Sequence, residues 1–176
     1  MMRVRSPIAW PLIGHGFLAH HEAGHLVVAR QLGMATGKAI VTETFGLAEI
    51  GLGTRAPSPI NENAKPTDQP VNLAAAMFEA SYPQHWPDKT KREAGIDYAT
   101  MLAAGRQAEL IKAGTILEPY EYLWMPDNDH IQALGLIEHI GYCRHALGHC
   151  QHLARHLLLD HWEQVEIMAA SIQEPS

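Results

Sequence analysis

Hydrophobic positions recur at helical spacing near the start of the chain. One face of the segment 17–32 is formed by residues three and four apart: Leu18, His21, His25, Val28 and Leu32. Gly33 follows this segment and is a typical helix stop. The pattern therefore predicts a helix over 17–32 that carries two histidines on its apolar side.

The pattern changes after this helix. Residues 38–44 and 47–53 contain β-branched and aromatic residues on either side of Gly46, which marks a turn, and we predict two short strands there. Residues 54–70 contain four prolines with Asn and Ser, which predicts a surface loop.

Helical periodicity returns in the second half of the chain. We predict a short helix over 71–82, a break at Pro83 and Pro87, and a long helix over 88–113 that ends at Gly114. The expected buried stripe of the long helix is Tyr98, Met101, Leu102, Gly105 and Ala108.

From residue 127 the chain reads as helical almost to its end, with a break near Gly141. The expected core positions of the last helix are Leu153, Leu157, Val165 and Met168. The fold class is thus mainly α with a small β-sheet (α+β), in one domain over 1–176 with an irregular loop around 54–87.

Composition narrows the function. The chain has 176 residues, 47% hydrophobic and 18% charged, which is typical of one globular domain. A net charge of −6 argues against a nucleic-acid partner. No apolar run reaches the roughly 18–20 residues of a membrane span. Cys143 and Cys150 are too far apart on a helix for a disulfide, so we expect free thiols and a cytoplasmic protein.

The chain contains 12 histidines, which makes metal binding worth testing. One segment has a pattern typical of metal-binding helices: His21-Glu22-Ala23-Gly24-His25. Residues four apart share a helix face, so His21 and His25 can offer two imidazoles to one ion. Glu22 projects beside that ion, where it can hold a water and act as general base. This HExxH pattern predicts a zinc ion and hydrolysis of peptide bonds.

Zinc catalysis needs a third protein ligand and an open coordination position. Spacing alone does not choose that ligand. The candidates are Glu43, Glu49, Glu109, Glu118 and Asp129.

Three segments resemble the FtsH-type peptidases, the proteolytic part of membrane-anchored AAA+ proteases. Segment 20–28 resembles their zinc helix, 102–110 resembles their helix with an Ala-Gly-Arg-x-Ala-Glu core, and 126–133 resembles their Ser-Asn-Asp segment. The resemblance implies a zincin-like fold, an HExxH helix with a C-terminal helical bundle, and an edge strand near 47–53. It also implies that Asp129 is the third zinc ligand.

The family's ATPase module and membrane anchor have no counterpart in this sequence. We therefore expect an ATP-independent metalloendopeptidase that cuts peptides or unfolded protein, unless an ATPase partner acts in trans. FtsH-type peptidases assemble into rings, so the resemblance also suggests a homo-oligomer. Two alternatives stay open: a non-catalytic metal-binding adaptor protein on the same fold, and a metal-dependent hydrolase of another substrate.

Packing and supporting roles can also be predicted. Gly24 and Gly105 would let the zinc helix and the Arg106 helix approach closely. Glu109 could then accept a hydrogen bond from a ligand histidine, although a surface position is an equal alternative. His20 points about 100° away from its neighbour on a helical wheel, so we do not expect it to bind the metal.

A second group of histidines lies near the C-terminus, at spacings of four, three and four: His145, His149, His152 and His156. They could bind a second metal. Arg144 and Arg155 lie nearby, and we favour a polar stripe on a solvated helix or a pH-sensitive partner face.

Overall fold

The computed structural model describes residues 15–41, 46–51, 73–114 and 128–172. Within these ranges the protein is mainly helical, as predicted. The elements are α1 (His15–Gln31), β1 (Ala35–Val41), β2 (Gly46–Gly51), α2 (Leu73–Ser81), α3 (Lys91–Lys112), α4 (Asn128–His139), α5 (Ala146–Asp160) and α6 (Trp162–Ser171). The predicted loop 54–70 lies outside the described residues. None of the described helices is long and apolar enough to cross a membrane.

The first helix ends where the sequence predicts. Gly33 has a φ of 80°, a left-handed conformation that glycine adopts without strain. The N–H of Met34 donates to the carbonyl of Ala29 at 2.8 Å, and that of Gly33 donates to Arg30 at 3.1 Å. These two bonds form a Schellman cap, which turns the chain directly into β1.

The two strands pair antiparallel, from Ala35 opposite Gly51 to Val41 opposite Gly46. The register shifts between Thr36 and Ala39. The first strand thus begins three residues before the predicted start at residue 38. Ala35, Thr36 and Gly37 include weak strand formers, and backbone pairing with β2 overrides that local preference.

Helix α3 lies at the centre of the fold and packs against α1, α4 and α5. It begins with a capping box between Thr90 and Glu93, which satisfies two backbone donors. A Cβ added to Gly24 of α1 would lie 2.7 Å from the Cβ of Ala108 and 2.9 Å from the carbonyl oxygen of Ala104. The predicted close approach of these two helices near Gly24 is therefore present.

The C-terminal segment differs from the prediction in one respect. The break near Gly141 is present, since α4 ends at His139 and Gly141 has a φ of 84°. A second break, at His161, divides the predicted last helix into α5 and α6. The buried side of α5 is formed by Leu147, Cys150, Gln151, Ala154 and Leu158.

The predicted positions Leu153 and Leu157 are only half-buried, and so is Met168, whereas Val165 is fully buried. The buried face of α5 is therefore rotated relative to the predicted one, and its leucines are Leu147 and Leu158 rather than Leu153 and Leu157. Both cysteines are free, with Cys150 buried and Cys143 exposed.

Candidate metal centre

Three side chains from two helices converge on one point. His21 and His25 lie one turn apart on α1, and Asp129 lies in the first turn of α4. The Nε2 atoms of the two histidines are 3.0 Å apart. The Oδ2 of Asp129 lies 3.0 Å from the Nε2 of His21 and 3.2 Å from that of His25. These three ligand atoms can hold one metal ion.

The opposite nitrogen of each ring faces a hydrogen-bond acceptor. The Nδ1 of His21 lies 3.0 Å from the Oε1 of Glu109, and the Nδ1 of His25 lies 2.8 Å from the carbonyl oxygen of Met101. A carboxylate and a carbonyl only accept, so both Nδ1 atoms donate. In a neutral imidazole this leaves the lone pair on Nε2, the atom that faces the centre.

This donor set fits a metal ion. Two atoms that each lie about 2.0–2.1 Å from one ion are about 2.9–3.4 Å apart at the usual coordination angles. The three separations in this centre, 3.0, 3.0 and 3.2 Å, fall within that range. Two imidazoles and one carboxylate also leave a coordination position open.

The ligands are strongly coupled electrostatically. Burial disfavours the charged form of His21, but hydrogen bonds to Asp129 and Glu109 outweigh it and raise its pKa to about 10. Burial acts in the same direction on His25, and its bond to Asp129 raises the pKa above the usual value. Burial would raise the pKa of Asp129, but the two histidines hold it well below its usual range. The carboxylates around the two rings therefore favour a positively charged group at this centre.

Gly105 of α3 lies directly against this centre. A Cβ at that position would lie 2.5 Å from the Nε2 atoms of both His21 and His25. No side chain fits there, so the backbone of α3 forms the floor of the centre.

Glu22 is buried, at 5% exposure, beside the first histidine. Burial raises the pKa of its carboxyl, and the positive charges of His25 and His21 offset part of that effect. Its oxygens are not part of the group formed by the three ligand atoms. Glu22 thus lies beside the three converging side chains, and burial holds its pKa above the usual value.

The structure places the other candidate ligands away from the three converging atoms or does not describe their side chains. Glu109 accepts a hydrogen bond from the outer nitrogen of His21 and is not one of the three side chains that converge on the centre. Glu43 and Glu118 lie outside the described residues, and only the backbone of Glu49 is described. His20 points away from the centre, as expected, and its Nε2 lies 3.2 Å from the Oε2 of Glu166.

Two groups that help to position the side chains of the centre were not predicted from the sequence. The carbonyl of Met101 orients His25, and the Nη1 of Arg106 donates to the Oε2 of Glu109 at 2.5 Å. A backbone carbonyl carries no sequence signal, so Met101 could not have been found. Arg106 lies three residues before Glu109 on one helix, a spacing that permits such an ion pair.

The chain matches no protein-family model, no curated protein and no solved structure. The likeness to FtsH-type peptidases thus rests on its three sequence segments, and the activity it implies is a proposal.

Proposed function

We propose that the protein is a zinc-dependent metalloendopeptidase with a zincin-like, FtsH-like arrangement. One observation carries this proposal. His21 and His25 of the HExxH segment meet Asp129, which is 108 residues from the first of them, at hydrogen-bonding distance. Two imidazoles with one carboxylate are a donor set used by catalytic zinc sites.

The residues around the centre have distinct roles in this proposal. A bound zinc ion supplies Lewis-acid chemistry, which polarises the scissile carbonyl and acidifies water. Glu22 accepts the proton of the attacking water and returns it to the leaving amine. Glu109 and the Met101 carbonyl hold the two rings so that both Nε2 atoms face inward.

The strand pair next to α1 suggests the form of the substrate. Both β1 and β2 pack against α1, the helix that carries Glu22. An extended peptide could add to a strand edge through main-chain hydrogen bonds, which gives little sequence selectivity. Peptides or unfolded protein segments therefore suit this protein, in a homo-oligomer or with an ATPase partner in trans.

The alternative, a non-catalytic metal-binding adaptor, would be favoured by a fourth protein ligand. Within the described part of the chain no further His, Cys, Asp or Glu atom joins the three. Among the described residues this leaves one coordination position for water or substrate, which supports the enzyme.

The test uses a labelled unfolded protein as substrate, without ATP. We expect about one zinc ion per chain, and its loss in His21→Ala. Glu22→Gln should keep the metal and lose about 100-fold or more in cleavage rate, because the base is removed. Glu166→Gln, which removes a carboxylate close to His20, is the matched control and should cleave normally. Full turnover by Glu22→Gln, or purified chain that binds no zinc, would refute the proposal.

A further inference from the structure

A second pair of histidines has the same geometry as the pair in the metal centre. His152 and His156 lie four residues apart on α5, and their Nε2 atoms are 3.0 Å apart. Their ring centroids are 4.5 Å apart at an interplanar angle of 76°. The corresponding values for His21 and His25 are 3.0 Å, 4.7 Å and 77°. One turn of helix thus presents two imidazoles in the same way at two places.

The surroundings of the two pairs differ. His152 and His156 are exposed, on the side of α5 opposite to its buried residues Cys150, Ala154 and Leu158. No carboxylate completes a group of three around them among the described residues. This pair is therefore open to solvent and separate from the centre on α1.

We propose that His152 and His156 form a second metal site, which binds a divalent transition-metal ion through two imidazoles and completes its coordination with water. Two nitrogens 3.0 Å apart, each about 2.0–2.1 Å from one ion, subtend an angle of about 95° at that ion. This angle is near the right angle between neighbouring ligands of tetragonal copper(II) or nickel(II).

Copper(II) should bind most tightly to this site. The affinity of nitrogen ligands for divalent metal ions increases along the first transition series up to copper and is lower for zinc. In the metal-free pair, a hydrogen bond between the two Nε2 atoms needs one nitrogen protonated and the other not. The metal ion replaces that single proton. The site binds more weakly than the centre on α1, since it has two protein ligands rather than three.

This assignment changes the interpretation of the histidine stripe. His145 and His149 share the face of α5, but neither forms a group of three with the pair. The proposed site is therefore formed by His152 and His156. At these two positions the proposal replaces the expectation of a polar stripe on a solvated helix.

The experiment isolates the second site in a His25→Ala chain, which lacks a ligand of the first. Copper(II) alone is added to this metal-free protein, and bound copper is measured by equilibrium dialysis and by electron paramagnetic resonance. We expect about one copper ion per chain, with a spectrum that shows nitrogen ligands. Adding His156→Asn should weaken binding by more than about tenfold.

The matched control adds His149→Asn to the same chain, because His149 is also exposed on α5. It should bind copper as the His25→Ala chain does. Copper binding that is unchanged by His156→Asn, or that falls equally in the His149→Asn control, would overturn the proposal. Circular dichroism checks that all three chains keep their helix content, and zinc in place of copper should bind more weakly.

Discussion

The backbone of Gly105 lies so close to His21 that a single added carbon would reach 2.5 Å from the ring's Nε2 atom. The same carbon would lie 2.5 Å from the Nε2 of His25. Helix α3 therefore limits the space available to the two nitrogens that face the candidate metal centre.

Gly105→Ala should strongly weaken metal binding while the fold is kept. The atoms that the new methyl group meets are the tips of two side chains, which can rotate away without moving a helix. That rotation removes both nitrogens from Asp129, so we expect zinc affinity to fall by more than about 100-fold. Chelator competition measures the loss, and circular dichroism measures the fold.

Gly95→Ala is the control for this change, since Gly95 is on the same helix. Its added carbon would meet the side chain of Ile140, at 2.6 Å, and not a metal ligand. This variant should lose stability and keep its zinc. Equal zinc affinities in the two variants would contradict the role given to Gly105.

Gly24→Ala tests the contact between α1 and α3. The added carbon would lie 2.9 Å from the carbonyl oxygen of Ala104, a backbone atom that cannot move without the helix. We expect the free energy of unfolding to fall by about 1–3 kcal/mol, the usual cost of overpacking. Urea unfolding measures this change. A variant as stable as the parent chain would show that the helices are not in close contact at this point.

Glu109→Gln tests the support of His21. The substitution keeps an acceptor for the Nδ1 hydrogen but removes the negative charge that also pairs with Arg106. Zinc affinity should fall about 10- to 100-fold, as is usual when such a partner is lost. Glu166→Gln is the matched control, because Glu166 contacts His20, which is not a ligand. A similar loss in both variants would indicate a general effect of charge.

The pH dependence of metal binding follows from the raised pKa of His21, about 10. Its Nε2 must lose a proton to bind metal, and below that pKa the ring is mostly protonated. Affinity should therefore rise about tenfold per pH unit for each proton displaced, between about pH 7 and 9. Competition with a chelator of known pH dependence gives the slope. A histidine of ordinary pKa would instead give an affinity that levels off above about pH 7.5.

Much of the fold could be predicted because its signals are local. The 3.6-residue period and a glycine stop place α1, and Thr90 with Glu93 marks the start of α3 within three residues of the predicted position. The break at His161 could not be predicted in this way, since neither glycine nor proline marks it. The buried face of α5 was also missed, because apolar residues lie on more than one side of this helix and only its tertiary packing decides which of them are buried.

The candidate metal centre could likewise be predicted from the sequence only in part. His21, Glu22 and His25 are recognisable because their chemistry is contiguous in the sequence. Asp129 could be chosen among the candidate carboxylates only through the resemblance, and the fold brings it to the two rings. The distinction between Glu109 as ligand and as support depends on which ring nitrogen it faces, and that requires the packing of α3 on α1.

The separation of His21 from Asp129 by 108 residues has a consequence during synthesis on the ribosome. A growing chain that has emerged only as far as α3 contains His21, Glu22 and His25 but lacks Asp129. It cannot assemble the complete centre until α4 has left the exit tunnel. In the proposed peptidase, hydrolytic activity would be delayed until most of the chain is made, and the unfinished polypeptide would be protected from cleavage.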